Sequence, residues 1–133
     1  MTVASVPAAE LHRRLHDAFV LRDRESLGEL LAAGASWRIG GKSRLAGQMH
    51  GRDVVLDQLY MQLRTLSGGT ARLERGEYWG DNDTSVGWFQ LAATRNGILD
   101  EFDICEVVSW RSGQAHEARW FFADQYAWDA LWS

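Results

Sequence analysis

The stretch that decides the fold is TSVGWFQLAATRNGILDEFDICEVVSWRSGQAHEARWFF, residues 84–122. It contains three runs rich in β-branched and aromatic residues, separated by the dipeptides Asn96-Gly97 and Ser112-Gly113. Such dipeptides between alternating runs are typical of tight β-hairpin turns. The stretch therefore predicts three consecutive antiparallel strands, and the preceding run TARLERGEYW (70–79) predicts a fourth.

The residues before this meander have helical periodicity instead. Apolar side chains at helical spacing predict a first helix over 8–22, and a second short helix follows, closed by Gly34. Residues 35–39 read as a short strand, and Arg52 to Leu66 as a third helix that stops at a glycine pair. With a short closing helix in the last nine residues, the order predicts one α+β domain over residues 1–133, in which a curved antiparallel sheet wraps around three helices.

Composition narrows the class of protein. The chain is 46% hydrophobic with a net charge of -4, an ordinary profile for a globular domain without the basic stripe of a nucleic-acid-binding protein. No apolar run approaches the ~20 residues of a membrane span. The N-terminus lacks the order of a signal peptide, so a cytoplasmic location is expected. The single cysteine, Cys105, excludes an internal disulfide.

The two tight turns also predict which residues share a face of the sheet. They place Gln90 opposite Asp103, and Cys105 between Trp88 and Trp120. The face that carries these residues and Phe122 mixes large aromatic groups with sparse polar ones, which is typical of a ligand cavity, and it is expected to be concave. The other face, with a predicted Glu106–Arg119 ion pair, is expected to be the outer face and to be covered by a second copy of the chain.

Several residues are candidates for chemistry or binding, and each has an alternative structural interpretation. Asp103 lies in mid-strand on the predicted cavity face, where a desolvated carboxylate can exchange a proton near neutral pH, or it is simply hydrogen-bonded to Gln90. His16 on the first helix points into the same space or is partly exposed, and Tyr60 donates a hydrogen bond inward or covers the core. The tryptophans Trp37, Trp88 and Trp120 are pocket walls or core filler, and Cys105 is interpreted as an inert small hydrophobic residue between two of them. The four histidines lie on three elements without evident ligand spacing, so no metal site is expected.

Three segments resemble the nuclear transport factor 2-like superfamily in its SnoaL-like branch: RDRESLGELLAAGASWRIGG (22–41), LAGQMHGRDVVLDQL (45–59) and VVSWRSGQAHEARWFFADQYAWDALW (107–132). The marks are Gly51 before the third helix, and Glu117 and Asp124 around the last strand. The resemblance implies a cone-shaped half-barrel with a deep apolar pocket, dimeric through the outer face of its sheet. Members include ketosteroid isomerase, polyketide cyclases, limonene epoxide hydrolase and scytalone dehydratase, and other members only bind ligands or proteins.

The family's catalytic residues match this chain in few places. The isomerase's general base falls near Ile39 or Gly40, and its protonated aspartate falls near Asp103 or Cys105. The hydrolase's arginine–aspartate pair has no counterpart. Steroid isomerisation and epoxide hydrolysis are therefore disfavoured, whereas the single acid/base aspartate of the cyclases corresponds to Asp124.

The resemblance implies a cofactor-independent cyclase, isomerase or dehydratase that acts on an apolar polyketide- or terpenoid-like molecule by acid/base catalysis. The expected proton carriers are Asp103, Asp124 and His16. The expected substrate-binding residues are Trp37, Tyr60, Trp88, Gln90, Cys105, Trp120 and Phe122. The partners expected are an apolar ligand and a second copy of the chain, with no cofactor, metal, nucleic acid or membrane. Two alternatives stay open: a non-catalytic domain that binds a hydrophobic ligand, and an interaction domain whose cone is filled.

Overall fold

A computed structural model describes residues 6–133 of the chain. Residues 1–5 lie outside the described residues. They include part of the segment in which no signal peptide was expected, and the start of the predicted domain. Two helices, α1 (Ala8–Val20) and α2 (Arg24–Leu30), lead into strand β1 (Leu31–Ile39) and the short strand β2 (Gly47–His50). Next comes a continuous helical stretch of α3 (Arg52–Val55), a π-helical segment (Leu56–Met61) and α4 (Gln62–Leu66).

The second half is the predicted meander. It consists of β3 (Arg72–Gly80), β4 (Thr84–Arg95), β5 (Ile98–Arg111) and β6 (Gln114–Phe122), followed by the closing helix α5 (Gln125–Leu131). The six strands form one sheet in the order β2-β1-β6-β5-β4-β3. All pairs are antiparallel except β1–β6, which is parallel. The edge strands β2 and β3 each pair with one neighbour only and not with each other, so the curved sheet does not close. This confirms the predicted α+β half-barrel.

The helices fill the concave side of the sheet. α1 is amphipathic and buries Leu11, Leu15 and Phe19, while the third helical stretch buries Val55, Leu59 and Leu63. Each fully buried side chain of this size contributes about 1.5–3 kcal/mol of transfer free energy. None of the helices within residues 6–133 is long and apolar enough to cross a membrane.

The register of β4 and β5 is as predicted, with Gln90 opposite Asp103 and Trp88 opposite Cys105. The register of β5 and β6 is not, because a bulge between Ser109 and Trp110 shifts the pairing by one residue. Glu106 therefore lies opposite Trp120, rather than opposite Arg119 as predicted. Since a one-residue shift exchanges the two faces of a strand, the face assignment cannot be right for both sides of the bulge.

The concave face is the one that carries Phe89, Ile104, Glu106 and Trp120, all buried. The predicted concave face is therefore wrong for β4 and β5 and right for β6. On β5 the burial alternates strictly, and Asp103 and Cys105 lie on the partly exposed side. Two further boundaries differ from the prediction: α2 ends at Leu30 instead of Gly34, and β2 lies in a segment predicted to be a loop. Leu31 becomes strand because it pairs with Ala115 of β6, a parallel partner that local sequence does not reveal.

Candidate functional site

A buried carboxylate, Glu106, lies at the centre of the concave face of β5. Its Oε1 accepts hydrogen bonds from Nε2 of His12 at 2.7 Å and from Nε2 of His16 at 2.8 Å. Its Oε2 accepts a hydrogen bond from the indole Nε1 of Trp120. Three donors therefore satisfy the carboxylate, which is the condition under which a charged group is tolerated in a protein interior.

α1 supplies both imidazoles because His12 and His16 are one helical turn apart on its buried face. Their rings meet edge to face, with centroids 4.8 Å apart. Space for His12 comes from Gly87 on β4, where an added Cβ would lie 2.8 Å from the imidazole ring. The glycine thus allows the helix to bring its histidines within reach of Glu106.

His12 is held in one tautomer by its neighbours. A carboxylate accepts only, so the Nε2 of His12 carries its hydrogen. Trp110 Nε1 donates to Ser85 Oγ at 2.8 Å, which leaves the Ser85 hydroxyl hydrogen for His12 Nδ1 at 2.7 Å. Burial lowers the pKa of His12 despite the opposing hydrogen bond and charge of Glu106. His12 is therefore neutral and positions the carboxylate.

His16 links the carboxylate to a tyrosine at the edge of the fold. Its Nδ1 lies 2.7 Å from the hydroxyl of Tyr78, a half-buried residue on β3. Burial, followed by the charge of Glu106, raises the pKa of Tyr78 to about 12, so its phenol is protonated at neutral pH. Tyr78, His16 and Glu106 consequently form a continuous hydrogen-bonded chain from the edge of the fold to its interior.

Glu106 remains ionised in this setting. Burial alone raises the pKa of its carboxyl group, but the charge of His16 and the hydrogen bonds from both histidines outweigh burial and hold the pKa well below its usual range. A carboxylate that stays charged stabilises an imidazolium beside it. The chain therefore joins a buried carboxylate, an imidazole and a phenol by hydrogen bonds, and these are groups that general acid/base catalysis uses.

His12, His16 and Glu106 are also a potential metal-ligand set, since one donor atom of each lies within 4.8 Å of the others. The expectation that the histidines lack ligand spacing is wrong for this helical pair. In the structure, however, both Nε2 atoms are within 2.8 Å of the same carboxylate oxygen. A tetrahedral ion with bonds of about 2.0–2.1 Å holds its ligands roughly 3.3 Å apart. The observed geometry is that of hydrogen bonds, and a cation would have to replace both protons.

The space around this chain is limited. Inside the cone, a cavity of only about 10 Å³ touches His16, Tyr60 and Trp120. A larger one of about 170 Å³ lies between α1 and β3, beside His16 and Tyr78, and the carboxylates of Asp17 and Glu74 line it too. The deep apolar pocket implied by the resemblance is therefore largely filled by side chains. An open groove of about 1000 Å³ elsewhere, between α1, α2 and two hairpin turns, is lined by neither the histidines nor Glu106.

Three of the predicted site residues lie at this site. His16 and Trp120 bond Glu106 directly, and Tyr60 forms part of the interior wall. Trp37 is fully buried in the core, and Phe122 stacks on Trp128 with ring centroids 4.4 Å apart.

The other predicted residues lie elsewhere. Asp103, Trp88, Gln90 and Cys105 lie on the outer side of the sheet, because the bulge reverses the assignment of faces on β4 and β5. Asp124 is exposed and caps α5, its carboxylate accepting a hydrogen bond from the backbone N–H of Ala127 at 3.0 Å. These five residues are thus separated from the Glu106 chain.

Sequence reasoning missed Glu106, His12, Tyr78 and Ser85. The available signal was the spacing of His12 and His16 on the apolar face of α1, because two buried imidazoles need a polar partner. Glu106, which alternates with Ile104 and Val108 in β5, was the natural candidate for that partner.

No protein-family model matches the chain, and the comparison with curated proteins found no significant match. Solved structures do match. Bal32a, from a soil-derived mobile gene cassette, is 32% identical with a TM-score of 0.89, and the match covers 94% of this chain and 95% of Bal32a. A nuclear transport factor 2-like protein of unknown function from Burkholderia pseudomallei is 22% identical, with a TM-score of 0.81 and coverage of 93% and 95%. A protein described as a SnoaL-like polyketide cyclase, from Jannaschia, is 14% identical, with a TM-score of 0.73 and coverage of 92% and 91%.

The identity to Bal32a extends over nearly the full length of both chains, whereas the other two likenesses concern the fold. The chain therefore belongs to the same family as Bal32a and has the nuclear transport factor 2-like fold that SnoaL-like proteins share.

Proposed function

We propose that the protein is a cofactor-independent acid/base enzyme of the cyclase, isomerase or dehydratase type, with His16 as its proton carrier. The observation that supports this most is the continuous chain Tyr78–His16–Glu106, which joins a buried carboxylate to a cavity. A purely structural ion pair has no need of a tyrosine hydroxyl at the cavity edge. Enzymes commonly place titratable groups with perturbed pKa values in such clefts.

Each residue of the hydrogen-bonded chain has a separate role in the proposed reaction. Glu106 stabilises the imidazolium of His16, whose Nδ1–H then donates to the Tyr78 oxygen, leaving the Tyr78 hydroxyl hydrogen for a substrate oxygen. As negative charge develops on that oxygen, Tyr78 gives up its proton and takes the Nδ1 proton of His16. Asp17 lines the same cavity and is the available acceptor for a proton leaving a substrate carbon, whereas Glu74, which also lines it, is paired with Arg72 at 2.6 Å.

The proposed substrate is a polyketide- or terpenoid-like molecule with a carbonyl or hydroxyl oxygen. Val20, Leu73 and Phe89 give the cavity apolar walls. Its volume of about 170 Å³ suits one ring or a short chain at the reacting end of the molecule. The likeness of fold to a SnoaL-like polyketide cyclase motivates the polyketide part of this proposal.

Exchange of α-protons with deuterium oxide tests the reaction class without knowledge of the substrate. A panel of cyclic ketones and β-diketones is incubated with the wild-type protein, and loss of the α-proton signal is followed by NMR. We expect exchange above the buffer rate for at least one ketone, lowered at least 30-fold by His16→Asn or Tyr78→Phe. Asp103→Asn is the matched control on the outer face and should leave the rate unchanged. The proposal would be refuted if no ketone exchanged its α-protons above the buffer rate, or if exchange persisted in both variants.

The alternative is a domain without catalysis, in which the Glu106 cluster is a structural network. The filled interior favours a domain that binds a protein over one that binds a hydrophobic ligand inside the cone. In that case Tyr78→Phe leaves ligand affinity unchanged and no ketone exchanges its protons. The same NMR experiment therefore separates the two functions.

We also propose that a second copy of the chain covers the outer face of the sheet. Large apolar side chains are exposed there: Trp79 by 54%, Trp88 by 36% and Phe121 by 52%. Contiguous apolar surface of this kind is typical of an interface.

A further inference from the structure

Two cavities at the C-terminal end of α1 are flanked by the same pair of arginines, Arg22 and Arg64. One cavity, of about 20 Å³, lies against the π-helical segment, and the other, of about 80 Å³, lies against the start of β3. Phe19 also lines both. No acidic residue is among the described residues that line either cavity, although the chain as a whole has a net charge of -4.

The neighbouring arginines are already neutralised, and this pair is not. Arg24 bonds Asp57 at 3.0 Å, and Arg72 bonds Glu74 at 2.6 Å. Within residues 6–133, the guanidinium of Arg64 makes no hydrogen bond or ion pair, and that of Arg22 donates only to the carbonyl oxygen of Gly69, at 2.8 Å. Most of the N–H donors of the pair are therefore available to an anion.

Arg22 occupies an unfavourable backbone position. Its φ is 57°, in the left-handed region, and it follows α1 at the residue where helices usually place glycine. The backbone bonds Arg22 N to Phe19 O, at 3.0 Å, and Asp23 N to Ala18 O, at 2.8 Å, complete that glycine-type helix ending. Arg22 therefore presents a guanidinium at a position where glycine would be less strained, and a backbone outlier of this kind motivates a functional hypothesis.

The arginine cavities adjoin the acid/base chain. Phe19 lines them and also the interior cavity at His16, and Val20 lines both the 80 Å³ cavity and the 170 Å³ cavity at Tyr78. His16 lies four residues before the end of α1 at Val20, about 6 Å along the axis, and Arg22 follows that end by two residues. The arginine cavities and the cavity at Tyr78 therefore lie next to each other at the C-terminal end of α1.

We propose that the substrate is an organic carboxylate, whose carboxylate group is bound by Arg22 and Arg64 while its reacting oxygen meets Tyr78. This inference rests on the proposed function for the role of Tyr78, but the binding of the carboxylate does not depend on catalysis. Arginine suits the task because its planar N–H donors match a carboxylate in two-pronged fashion.

Binding of a matched acid and amide tests the proposal. The probes are 5-benzoylpentanoate, a carboxylate with a ketone at the other end, and its neutral amide, with acetate and inorganic phosphate as small-anion probes. We expect calorimetry to show at least tenfold tighter binding of the acid than of the amide. Arg22→Gln and Arg64→Gln should each abolish this preference. Arg24→Gln is the matched control, since Arg24 lines the same cavity but is paired with Asp57.

Equal affinity for acid and amide, or no binding of either, would overturn the proposal. So would an equal loss in Arg24→Gln, which would indicate general attraction by positive charge. Phosphate binding tighter than that of the keto acid would overturn the carboxylate assignment. Exchange of neutral ketones reports the proposed function separately, so acid-selective binding without exchange leaves the arginine site standing while the enzyme proposal fails.

The backbone strain gives a second test. Arg22→Gly should raise Tm by about 3 °C, because it relieves the left-handed strain, and should still lose the preference for the acid. A variant that binds the acid as well as wild type does would show that the guanidinium has no role in recognition.

Discussion

Glu106→Gln is the most informative single substitution, because it keeps the shape of the side chain and removes its charge. The carboxylate accepts from His12, His16 and Trp120, and an amide can accept through only one of its two ends. If the amide oxygen faces the histidines, its NH₂ group faces the indole N–H, and two buried donors oppose each other.

The magnitude follows from these contacts. An unsatisfied buried donor costs about 1–3 kcal/mol, and each charged hydrogen bond that becomes neutral loses about 1 kcal/mol. With two histidine bonds affected, these values predict a loss of about 3–5 kcal/mol in the free energy of unfolding, or roughly 10–15 °C in Tm for a chain of this size. Urea unfolding at pH 7 and calorimetry measure the two quantities. Asp103→Asn, on the outer side of the sheet, is the control and should change Tm by less than 2 °C. A Glu106→Gln protein as stable as the control would contradict the account of the buried cluster.

The same cluster predicts how stability depends on pH. The pKa of Glu106 is lowered on folding, so its contribution is complete above the ordinary value of 4.5 and is lost as the pH falls below it. The pKa of His12 is also lowered, from 6.5, so the unfolded state gains a proton first and stability falls as the pH drops through that value. Stability should therefore decline steadily from about pH 6.5 downward, and Glu106→Gln should flatten the part below 4.5. If the stability of Glu106→Gln fell below pH 4.5 as steeply as that of wild type, the assignment of this pH dependence to Glu106 would be contradicted.

Other substitutions test single contacts. Gly87→Ala should lower the free energy of unfolding by about 1–3 kcal/mol, because the new Cβ would lie 2.8 Å from the His12 ring. The control is Gly28→Ala, in a helix with no atom within 4 Å of the new Cβ, which should be neutral or stabilising. Equal effects of the two substitutions in urea unfolding would refute the steric argument. Tyr78→Phe should leave Tm within about 3 °C of wild type and should lower the rate of α-proton exchange of the ketone at least 30-fold. An unchanged exchange rate would show that the tyrosine has no part in the mechanism. Phe121→Asp should convert the proposed dimer into a monomer, as measured by light scattering. The proposed interface is refuted if the wild-type protein is already monomeric, or if the variant has the same mass as the wild-type protein.

The sequence was sufficient for most of the fold because the strongest signals are local. Asn96-Gly97 and Ser112-Gly113 adopt the positive φ values of tight turns, and the helical spacing of α1 matches its buried face. The parallel pairing of β1 with β6 could not be read in the same way, since it joins segments that are distant in the chain. The lengthening of β1 to Leu31 depends on that pairing.

The site was harder to predict because its geometry depends on one bulge. The turn residues fix the register next to each hairpin but not beyond an inserted residue, and the bulge at Ser109–Trp110 changes which side chains meet. Glu106 thereby moves from a predicted outer ion pair to the centre of the interior. His16 and Tyr60 were identified as candidates because each is a polar or amphipathic group on a helix among apolar neighbours, a feature that does not depend on strand register. Trp120 was identified through the predicted register, and it faces the interior because the assignment of faces is right for β6.

The central claim is that a proton moves through Tyr78 and His16 because Glu106 holds the imidazolium. It is tested most directly by the α-proton exchange rate of the best ketone, measured by NMR at saturating concentration for wild type and Glu106→Gln, both kept below their Tm. The account predicts a rate about 100-fold lower in the variant, with ligand affinity within a factor of three of wild type. An exchange rate within twofold of wild type would contradict it.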